Sequence, residues 1–561
     1  MGAASVLRRL ARALKRLDPC RDPEAERVSG AFLVTFALAA AFSCFILFRY
    51  TYEPGRDVGY HAFCVRILSE RSNPASFFHD RYAPLHLLYP NTLFYAVAAL
   101  LGKIVEPFAA FRIVRLEYFL GLPLVTLYAL RRLGRSPWGA LLVFPMEYSQ
   151  AYAAGFVNFS FAAPLLIAAL LAYWLFTEQA TVRRGLAVAL LCVLTFLAHA
   201  HVYLWLGALL GPITLYGAVR ELAGPSPDDV RTRVIATGKR LLYSLGCALP
   251  SLLLFARWAA RYYGAHPPPP PAGSPPPPIA PGLHWLSIDL KMIEAQWGPK
   301  VTKHTHESWW MIGTAVLIMV ALVLAQREKR RSAPVFELCG ILTVASYFFL
   351  PDDLGGQQIA RRSWDMASWM VPFFVTPVMP AASRWARGAV IAGIIAFSFG
   401  RLRDIQMMVW RFNSDELAGF DAMVAAAPKE DLFVAWAASD FDSPNVIWLP
   451  WAQWNQMFAA RTGLEAPLYY TNADSSTPVS YVTGPPAPPM LMIAEPGWGS
   501  HPGLWDHYDL VLSKGWHPDP AQLAAVRANA TLLAESHEWQ LWRRIGPAPR
   551  PMDPKGAPAR R

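Results

Sequence analysis

Residues 28–61 read VSGAFLVTFALAAAFSCFILFRYTYEPGRDVGYH, an uncharged apolar run followed directly by a cluster of polar residues. The run from Val28 to Phe48 is long enough to cross a bilayer, which takes about 20 helical residues at 1.5 Å each. Seven Lys and Arg residues precede it, yet it is too long for the core of a signal peptide and lacks a small-residue cleavage site. We therefore predict a retained first transmembrane helix.

The rest of the chain has the composition of a membrane protein. Of 561 residues, 54% are hydrophobic and only 16% are charged, which excludes an ordinary soluble globular protein. The net charge is +11, but Lys and Arg are grouped at the ends of apolar runs and form no stripe with interleaved aromatic residues. The six cysteines show no CxxC spacing, so neither a zinc site nor a disulfide framework is indicated. We expect a multi-pass protein of the lipid bilayer without a nucleic-acid partner.

Further apolar runs predict an α-helical protein with 11 to 13 transmembrane helices. Lys and Arg near helix ends are retained on the cytoplasmic side, so basic clusters such as RRLGR at 131–135 place the basic N-terminus, residues 1–27, in the cytoplasm. The long loops 49–84 and 258–308, and everything after residue 402, are then predicted outside. The further runs are 85–103, 110–130, 138–152, 155–176, 184–199, 200–219, 238–257, 309–325, 335–350, 364–380 and 386–402.

One stretch of the predicted transmembrane domain, residues 28–410, leaves the topology open. The number of crossings between the external loop 49–84 and the cytoplasmic cluster 131–135 must be odd, yet two apolar runs, 85–103 and 110–130, lie between them. Either one of the two is interfacial, or a third short crossing is hidden, or the basic cluster violates the positive-inside rule.

The hydropathy falls from about residue 411, and the pattern changes to that of a small extracytoplasmic α/β domain over 411–547. DLFVAWA (431–437) and YDLVLSK (508–514) are typical of buried strands, and ATLLAESHEWQLWRRI (530–545) is typical of a closing hairpin. Residues 548–561 are predicted to be a disordered basic tail.

The polar cluster after the first helix is the first candidate site. If residues 56–69 form a helix at the membrane surface, Asp57 and His61 share one face, with Tyr60 beside them. A carboxylate and an imidazole so placed serve either as general base and proton relay or as two metal ligands. The alternative is that Asp57 caps the helix and His61 is merely interfacial.

A second candidate lies at the far end of the same loop, in HDRYAP (79–84). Asp80 and Arg81 return there to the membrane surface, where they are predicted to face Asp57 across a cavity. The guanidinium of Arg81 is suited to bidentate binding of a phosphate. A surface salt bridge is the alternative.

Two histidines form the third candidate, in AHAHVY (198–203) at the external join of two helices. Ionisable residues at membrane depth usually face a cavity or a partner. His199 and His201 are therefore predicted to line a cavity or to hydrogen-bond the substrate, with metal binding and a structural turn as alternatives.

The fourth candidate is the arginine pair in LPDDLGGQQIARRSWD (350–365). Arg361 or Arg362, at the mouth of a helix, can hold a phosphate or pyrophosphate, or else both side chains snorkel to lipid headgroups. Two arginines on the outer face oppose the positive-inside trend, which favours the binding role.

This arrangement resembles the C-type membrane glycosyltransferases (GT-C fold), which transfer sugars from polyprenyl-phosphate donors and include the protein mannosyltransferases and the aminoarabinose transferases. The resemblance rests on a first helix that leaves the cytoplasm, a long external loop that begins with an acidic residue in GRDVGYHAF (55–63), the many helices that follow, and the external C-terminal domain. Many members carry two carboxylates close together in this loop, whereas here Glu53 is the nearest second carboxylate to Asp57.

The resemblance implies a role for each candidate. Asp57 corresponds to the catalytic base or a metal-site residue, Asp80 and Arg81 to the functional position late in the loop, and Arg361 or Arg362 to the arginine that binds the donor phosphate. A divalent metal stays open as a cofactor.

We therefore expect a multi-pass glycosyltransferase of the plasma (inner) membrane that uses a polyprenyl-phosphate-linked sugar. A transporter or flippase is one alternative, but the apolar runs carry almost no charge and show no internal repeat. A non-catalytic scaffold that presents the C-terminal domain is the other, and it predicts that Asp57→Asn leaves function intact.

Overall fold

A computed structural model describes residues 28–223, 229–264, 335–349, 353–354, 357–375, 384–430, 432–438, 443, 445, 451, 453–468, 479, 492–494, 498–500 and 504–546. The predicted cytoplasmic N-terminus 1–27, most of the external loop 258–308, the apolar run 309–325 and the tail 548–561 lie outside the described residues.

Up to residue 411, the regular elements of the described chain are helices, apart from one two-stranded ribbon. In chain order the elements are α1 Gly30–Arg49, α2 Val58–Glu70, α3 Phe78–Arg81, α4 Leu93–Leu101, α5 Pro107–Val114, α6 Leu122–Arg132, α7 Val143–Met146, α8 Gln150–Ala154, α9 Val157–Phe161, α10 Ala163–Glu178, α11 Val182–Ala198, α12 Ala200–Ala223, α13 Val230–Gly264, α14 Val335–Phe349, β1 Asp353–Leu354, β2 Gln357–Gln358, α15 Ile359–Val375 and α16 Arg384–Arg411.

The first helix, α1, shows why such a run is stable in a bilayer. Ser29 caps its first turn by accepting a hydrogen bond from Phe32 N at 3.1 Å. At the other end, Arg112 donates to the carbonyls of Leu47 and Tyr50 at 2.6 and 2.7 Å. The end groups that lack partners within the helix are thereby partly satisfied, and the apolar side chains between them can face lipid.

Within the described residues, five helical segments are long and apolar enough to cross a membrane: Gly30–Arg49, Pro107–Arg132, Val157–Glu178, Ala200–Val219 and Val230–Arg261. The predicted fold class, an α-helical polytopic membrane protein with a small C-terminal α/β domain, is confirmed. The count of 11 to 13 crossings stays a prediction, because the run 309–325 is not described.

Helix α4 bears on the stretch where the predicted topology was open. It has nine residues and rises about 14 Å, which is half of the hydrocarbon thickness of a bilayer. In contrast, a π-helical turn at Glu117–Gly121 joins α5 and α6 into one apolar segment, Pro107–Arg132. The structure thus favours the first alternative, in which run 85–103 is interfacial and a single crossing lies between the Asp57 loop and the cluster 131–135.

The predicted run 138–152 is not one helix. It is divided into a 3₁₀ turn at Pro137–Leu142 and the short helices α7 and α8, most of whose side chains are buried. Pro145 lies within α7, and α8 ends at Gly155, which has a φ of 76°. This broken segment places a tight turn, rather than a continuous helix, beside the loop that carries Asp57.

The C-terminal part contains a five-stranded sheet in the order β4-β3-β5-β7-β6. Strand β3 is parallel to β4 and β5, and the remaining pairs are antiparallel. The two predicted buried strands and the closing hairpin are confirmed as β3, β5 and the pair β6–β7. The elements are α17 Phe420–Ala426, β3 Val434–Ala438, α18 Trp454–Thr462, β4 Met492–Ala494, α19 Leu504–His507, β5 Leu510–Lys514, α20 Pro520–Asn529, β6 Ala530–Ser536 and β7 Trp539–Arg544.

Candidate active site

Asp57 occupies the N-cap position of α2, but its side chain makes no capping hydrogen bond to the helix. Its Oδ1 accepts a hydrogen bond of 3.0 Å from Nε2 of Gln453 in the C-terminal part, and lies 3.9 Å from Nε of Arg56. Only 9% of the surface of Asp57 is exposed. The carboxylate therefore does not cap the helix. It lies between the first loop and the C-terminal domain.

The backbone of Asp57 is fixed by the turn that ends α8. The amides of Arg56 and Asp57 donate to the carbonyls of Ala153 and Ala154 at 3.2 and 3.1 Å. At Gly155, which closes this turn, a Cβ would lie 2.6 Å from the amide nitrogen of Asp57. A glycine is needed there both for the left-handed conformation and for the close approach of the two backbones.

The charge state of Asp57 is set by opposing effects. Burial raises the pKa of Asp57 to about 7, while the guanidiniums of Arg56 and Arg362 and the amide of Gln453 act in the opposite direction. A general base works best when its pKa lies near the working pH. The carboxyl group can therefore both accept and release a proton near neutrality.

His61 lies one turn beyond Asp57 on α2, and its amide donates to the Asp57 carbonyl at 3.1 Å. Its Nδ1 pairs with the hydroxyl of Tyr95 on α4. Burial, and then the charge of Arg115, lower the pKa of His61 to about 3, so the ring is neutral at pH 7. His61 thus ties α4 to α2, and it shares a helix face with Asp57 as predicted.

Arg362, on α15, lies beside the two histidines. Its guanidinium carbon is 5.9 Å from the ring centroid of Phe159, and the same ring lies 5.4 Å from His199 and 6.4 Å from His201. Arg362 interacts electrostatically with both histidines and with Asp57. The structure thus brings four of the predicted site residues, Asp57, His199, His201 and Arg362, together around α9, although they come from three separate segments of the chain.

The hydrogen bonds of the two histidines determine which ring nitrogens carry protons. The amide of His201 donates to Nδ1 of His199 at 3.2 Å, and Trp205 Nε1 donates to Nε2 of His201 at 3.1 Å. Burial, and then Arg362, lower the pKa of His199 well below its usual value, so that ring is neutral. In a neutral ring the nitrogen that accepts carries no proton, so the other nitrogen has an N–H to donate. Nε2 of His199, and Nδ1 of His201 in its neutral form, are therefore donors.

The same hydrogen bonds bear on the divalent metal that the resemblance implies. A metal needs the ring lone pairs that His199 and His201 already use as acceptors. In the part of the chain that the structure describes, no group of three or more His, Cys, Asp and Glu side chains is arranged to hold a metal ion. The described residues do not fit such a metal, and the chemistry proposed below includes no step through one.

Four other predicted site residues are not brought into this cluster by the contacts described. Arg81 forms an ion pair with the buried carboxylate of Glu465 in the C-terminal domain, because the short helix α3 brings it to that surface. Asp80 is exposed to solvent. Tyr60 is buried on α2 and hydrogen-bonds with Cys64 one turn further on. Arg361 belongs to α15, but its side chain lies outside the described part of the structure.

Sequence reasoning missed Asp365, a second carboxylate near the cluster. It lies one turn beyond Arg362 on α15, is 1% exposed, and accepts a hydrogen bond from the amide of Ala151 at 3.4 Å. Its signal in the sequence was its spacing of three from Arg362 on a helix. Glu53, the second carboxylate of the first loop, instead forms a buried ion pair of 2.7 Å with Arg115.

The fold and the site together define a class of protein: a multi-pass helical membrane protein with an acidic residue in its first loop and a small C-terminal α/β domain. Solved structures with this fold include two of ArnT from Cupriavidus metallidurans, one bound to undecaprenyl phosphate and one in the apo state. They are 11% and 13% identical to this chain, cover 93% and 92% of it and 100% and 99% of their own chains, and each has a TM-score of 0.51. At this level of identity the likeness is one of fold. No protein-family model matches the chain, and no curated protein sequence does.

Proposed function

We propose that this protein is an integral membrane glycosyltransferase of the plasma (inner) membrane, which transfers a sugar from a polyprenyl-phosphate donor to an acceptor on the extracytoplasmic face. The observation that carries the proposal is the arrangement around α9. Arg362 stacks on Phe156 and Phe159, His199 and His201 lie against the ring of Phe159, and the amide of Asp57 donates to the carbonyl of Ala154. The ArnT-like fold supports it, since one of the two ArnT structures holds undecaprenyl phosphate.

In the proposed reaction, the Asp57 carboxylate takes the proton of an acceptor hydroxyl as that oxygen attacks the anomeric carbon. The bond between the anomeric carbon and the donor phosphate oxygen breaks, and polyprenyl phosphate leaves with its negative charge. Such a single displacement inverts the anomeric configuration. It requires a base on one side of the sugar and positive charge or hydrogen-bond donors on the other.

Arg362 is the residue that we assign to the donor phosphate. Its guanidinium is stacked at 4.6 Å from the ring of Phe156, which fixes the plane of this phosphate-binding group. The free N–H groups of His199 and His201 add two further donors for the leaving phosphate or for sugar hydroxyls. Of the other arginines predicted for this role, Arg81 is engaged by Glu465 and is left out of the proposal.

The orientation of the protein is part of the proposal. With α4 interfacial, one crossing separates Asp57 from the basic cluster 131–135, and the positive-inside rule then places Asp57 outside. A polyprenyl donor reaches such a site by keeping its lipid tail in the outer leaflet.

The proposal predicts that Asp57→Asn strongly lowers the rate of transfer. The substitution keeps the shape and the hydrogen-bond acceptor but removes the base, and a general base contributes roughly 10²–10⁴-fold to a rate. Purified protein in liposomes is incubated with labelled polyprenyl-phosphate sugars and with envelope lipids and glycans as acceptors, and the transfer of label is followed. Asp80→Asn, which removes an exposed carboxylate from the same loop, is the matched control and should retain the activity of the wild type.

Equal turnover by wild type and Asp57→Asn would rule out Asp57 as the base and favour the scaffold alternative. Movement of intact labelled donor between leaflets, without transfer of the sugar, would identify the flippase alternative instead.

A further inference from the structure

We propose that Gln453 is a positioning residue for Asp57, so that the C-terminal domain completes the catalytic site of the membrane domain. This inference rests on the proposed function. Gln453 lies 396 residues away from Asp57 in the chain, is 3% exposed, and donates from Nε2 to Oδ1 of Asp57 at 3.0 Å. A base whose orientation depends on another domain is functional only when that domain is docked.

The docking is close enough to fix the position of Gln453. At Gly59, in the first turn of α2, a Cβ would lie 2.6 Å from the carbonyl oxygen of Gln453 and 2.9 Å from the amide nitrogen of Met457. The start of α18 therefore approaches α2 at a distance that only glycine allows. Further along the two helices, Nη1 of Arg66 donates to the carbonyl of Ala460 at 2.8 Å. The two helices are held together at both ends of their contact.

Other contacts hold the loop and the C-terminal part together on either side of this pair. The Tyr52 hydroxyl donates to Asp421 at 2.6 Å, and Asn413 donates to the Tyr52 carbonyl at 2.7 Å. At the far end of the loop, Glu465 accepts from the Tyr82 hydroxyl at 3.1 Å and pairs with Arg81. The ion pair between Arg81 and Glu465 thus anchors the domain that carries Gln453 to the first loop.

Charged and titratable groups from several elements face Asp57. Arg56 comes from its own loop, Tyr95 from α4 and Arg362 from α15, while His61 on α2 donates its backbone amide to the Asp57 carbonyl. Gln453 is the neutral donor among these neighbours. Its amide hydrogen bonds more strongly to a carboxylate than to a carboxylic acid, so it favours the ionised base and fixes the direction of Oδ1.

The test is the pH profile of transfer by Gln453→Met, a variant of similar length that has no donor. Loss of one hydrogen bond to the charged form should move the acid limb of the profile upward by about one pH unit, with most of the rate recovered at high pH. Gln456→Met is the matched control. Gln456 is a buried amide in the first turn of α18, three residues after Gln453, but it donates to the carbonyl of Pro467 at 2.6 Å. Loss of this amide should therefore leave the midpoint of the acid limb of the pH profile unchanged.

An unshifted limb in Gln453→Met, or an equal shift in both variants, would overturn the positioning role. A merely structural role for Gln453 would lower the rate at every pH and leave the midpoint in place.

A second measurement is independent of activity. Thermal stability is recorded for wild type, Gln453→Met, Asp57→Asn and the double variant at pH 5 and pH 9. Because Asp57 is ionised at pH 9, the loss of Gln453 should lower the melting temperature more at pH 9 than at pH 5, and this dependence on pH should vanish when residue 57 is Asn. If that coupling is present but no donor is turned over, the proposed function fails and the contact stands. If the coupling is absent, the inference fails whatever the activity.

Discussion

A single cation links the charged groups of the candidate site. Arg362 opposes the effect of burial on Asp57 and lies on the aromatic rings beside both histidines, one turn from the carboxylate of Asp365. A buried carboxylate without such neighbours would stay protonated at neutral pH, and with a closer ion pair it would be too weak a base. The balance of burial against two arginines is what gives Asp57 a pKa near neutrality.

This balance predicts how activity depends on pH. Because the pKa of Asp57 is raised to about 7, the base is half ionised near pH 7, and the rate should rise tenfold per pH unit below that value and level off above it. Initial rates between pH 5 and pH 9 in liposomes measure this directly. An acid limb centred near pH 4 would show that Asp57 is not the buried base.

The raised pKa of Asp57 also fixes how this group changes the free energy of unfolding with pH. Since the folded pKa of Asp57 lies above the unfolded value of 3.8, the unfolded state loses its proton first as the pH rises. The contribution of this group to the free energy of unfolding should therefore fall between about pH 4 and pH 7 and stay constant above. Asp57→Asn should remove this part of the pH dependence.

At the scale of elements, the turn at Gly155 fixes the position of Asp57, the proposed base. Gly155→Ala adds a methyl group 2.6 Å from the Asp57 amide nitrogen in a backbone with a φ of 76°. The turn must then move away from Asp57, and a displacement of about 1 Å at a catalytic group can lower a rate by about 10²-fold. Transfer rate and melting temperature of the purified variant are the measurements.

Gly134→Ala separates the two contributions to that effect. Gly134 has a φ of 66°, but a Cβ there meets no atom within 4 Å. This control carries the conformational strain alone, about 1–2 kcal/mol, and should keep its activity. A similar loss of activity in both variants would show that backbone strain, rather than the close approach to Asp57, is responsible.

Elements with strong local patterns were predictable, and the contacts between them were not. Strand β5 is a continuous buried run and α1 is an uncharged run of bilayer length, so each follows from its own residues. The apolar run 138–152 has similar hydropathy, but Pro145 interrupts it, and Pro137 and Gly155 flank it. The pairing of Asp57 with Gln453 depends on tertiary packing across 396 residues, for which a glutamine among the aromatic residues of WLPWAQW (448–454) gives no local signal.

At the scale of the whole molecule, the first loop and the C-terminal domain behave as one unit above the membrane helices. Glu53 anchors the start of the loop to the helical segment Pro107–Arg132 through Arg115, while the residues from Tyr52 to Tyr82 contact the C-terminal domain. The first loop thus connects the two parts of the protein. This arrangement requires that both lie on the same side of the membrane.

The membrane topology can be tested at three exposed positions. Asp80, Lys103 and Arg183 are exposed in the structure, and each is replaced by Cys in a background that lacks the native cysteines. Because α4 has only nine residues, it should not cross the bilayer, so positions 80 and 103 should react with an impermeant thiol reagent from outside, while position 183 should react only after permeabilisation. If α4 crossed, positions 80 and 103 would lie on opposite sides, and the single crossing that places Asp57 outside would be lost. Reaction of position 80 only from inside would place the base on the cytoplasmic face, where the proposed donor orientation fails.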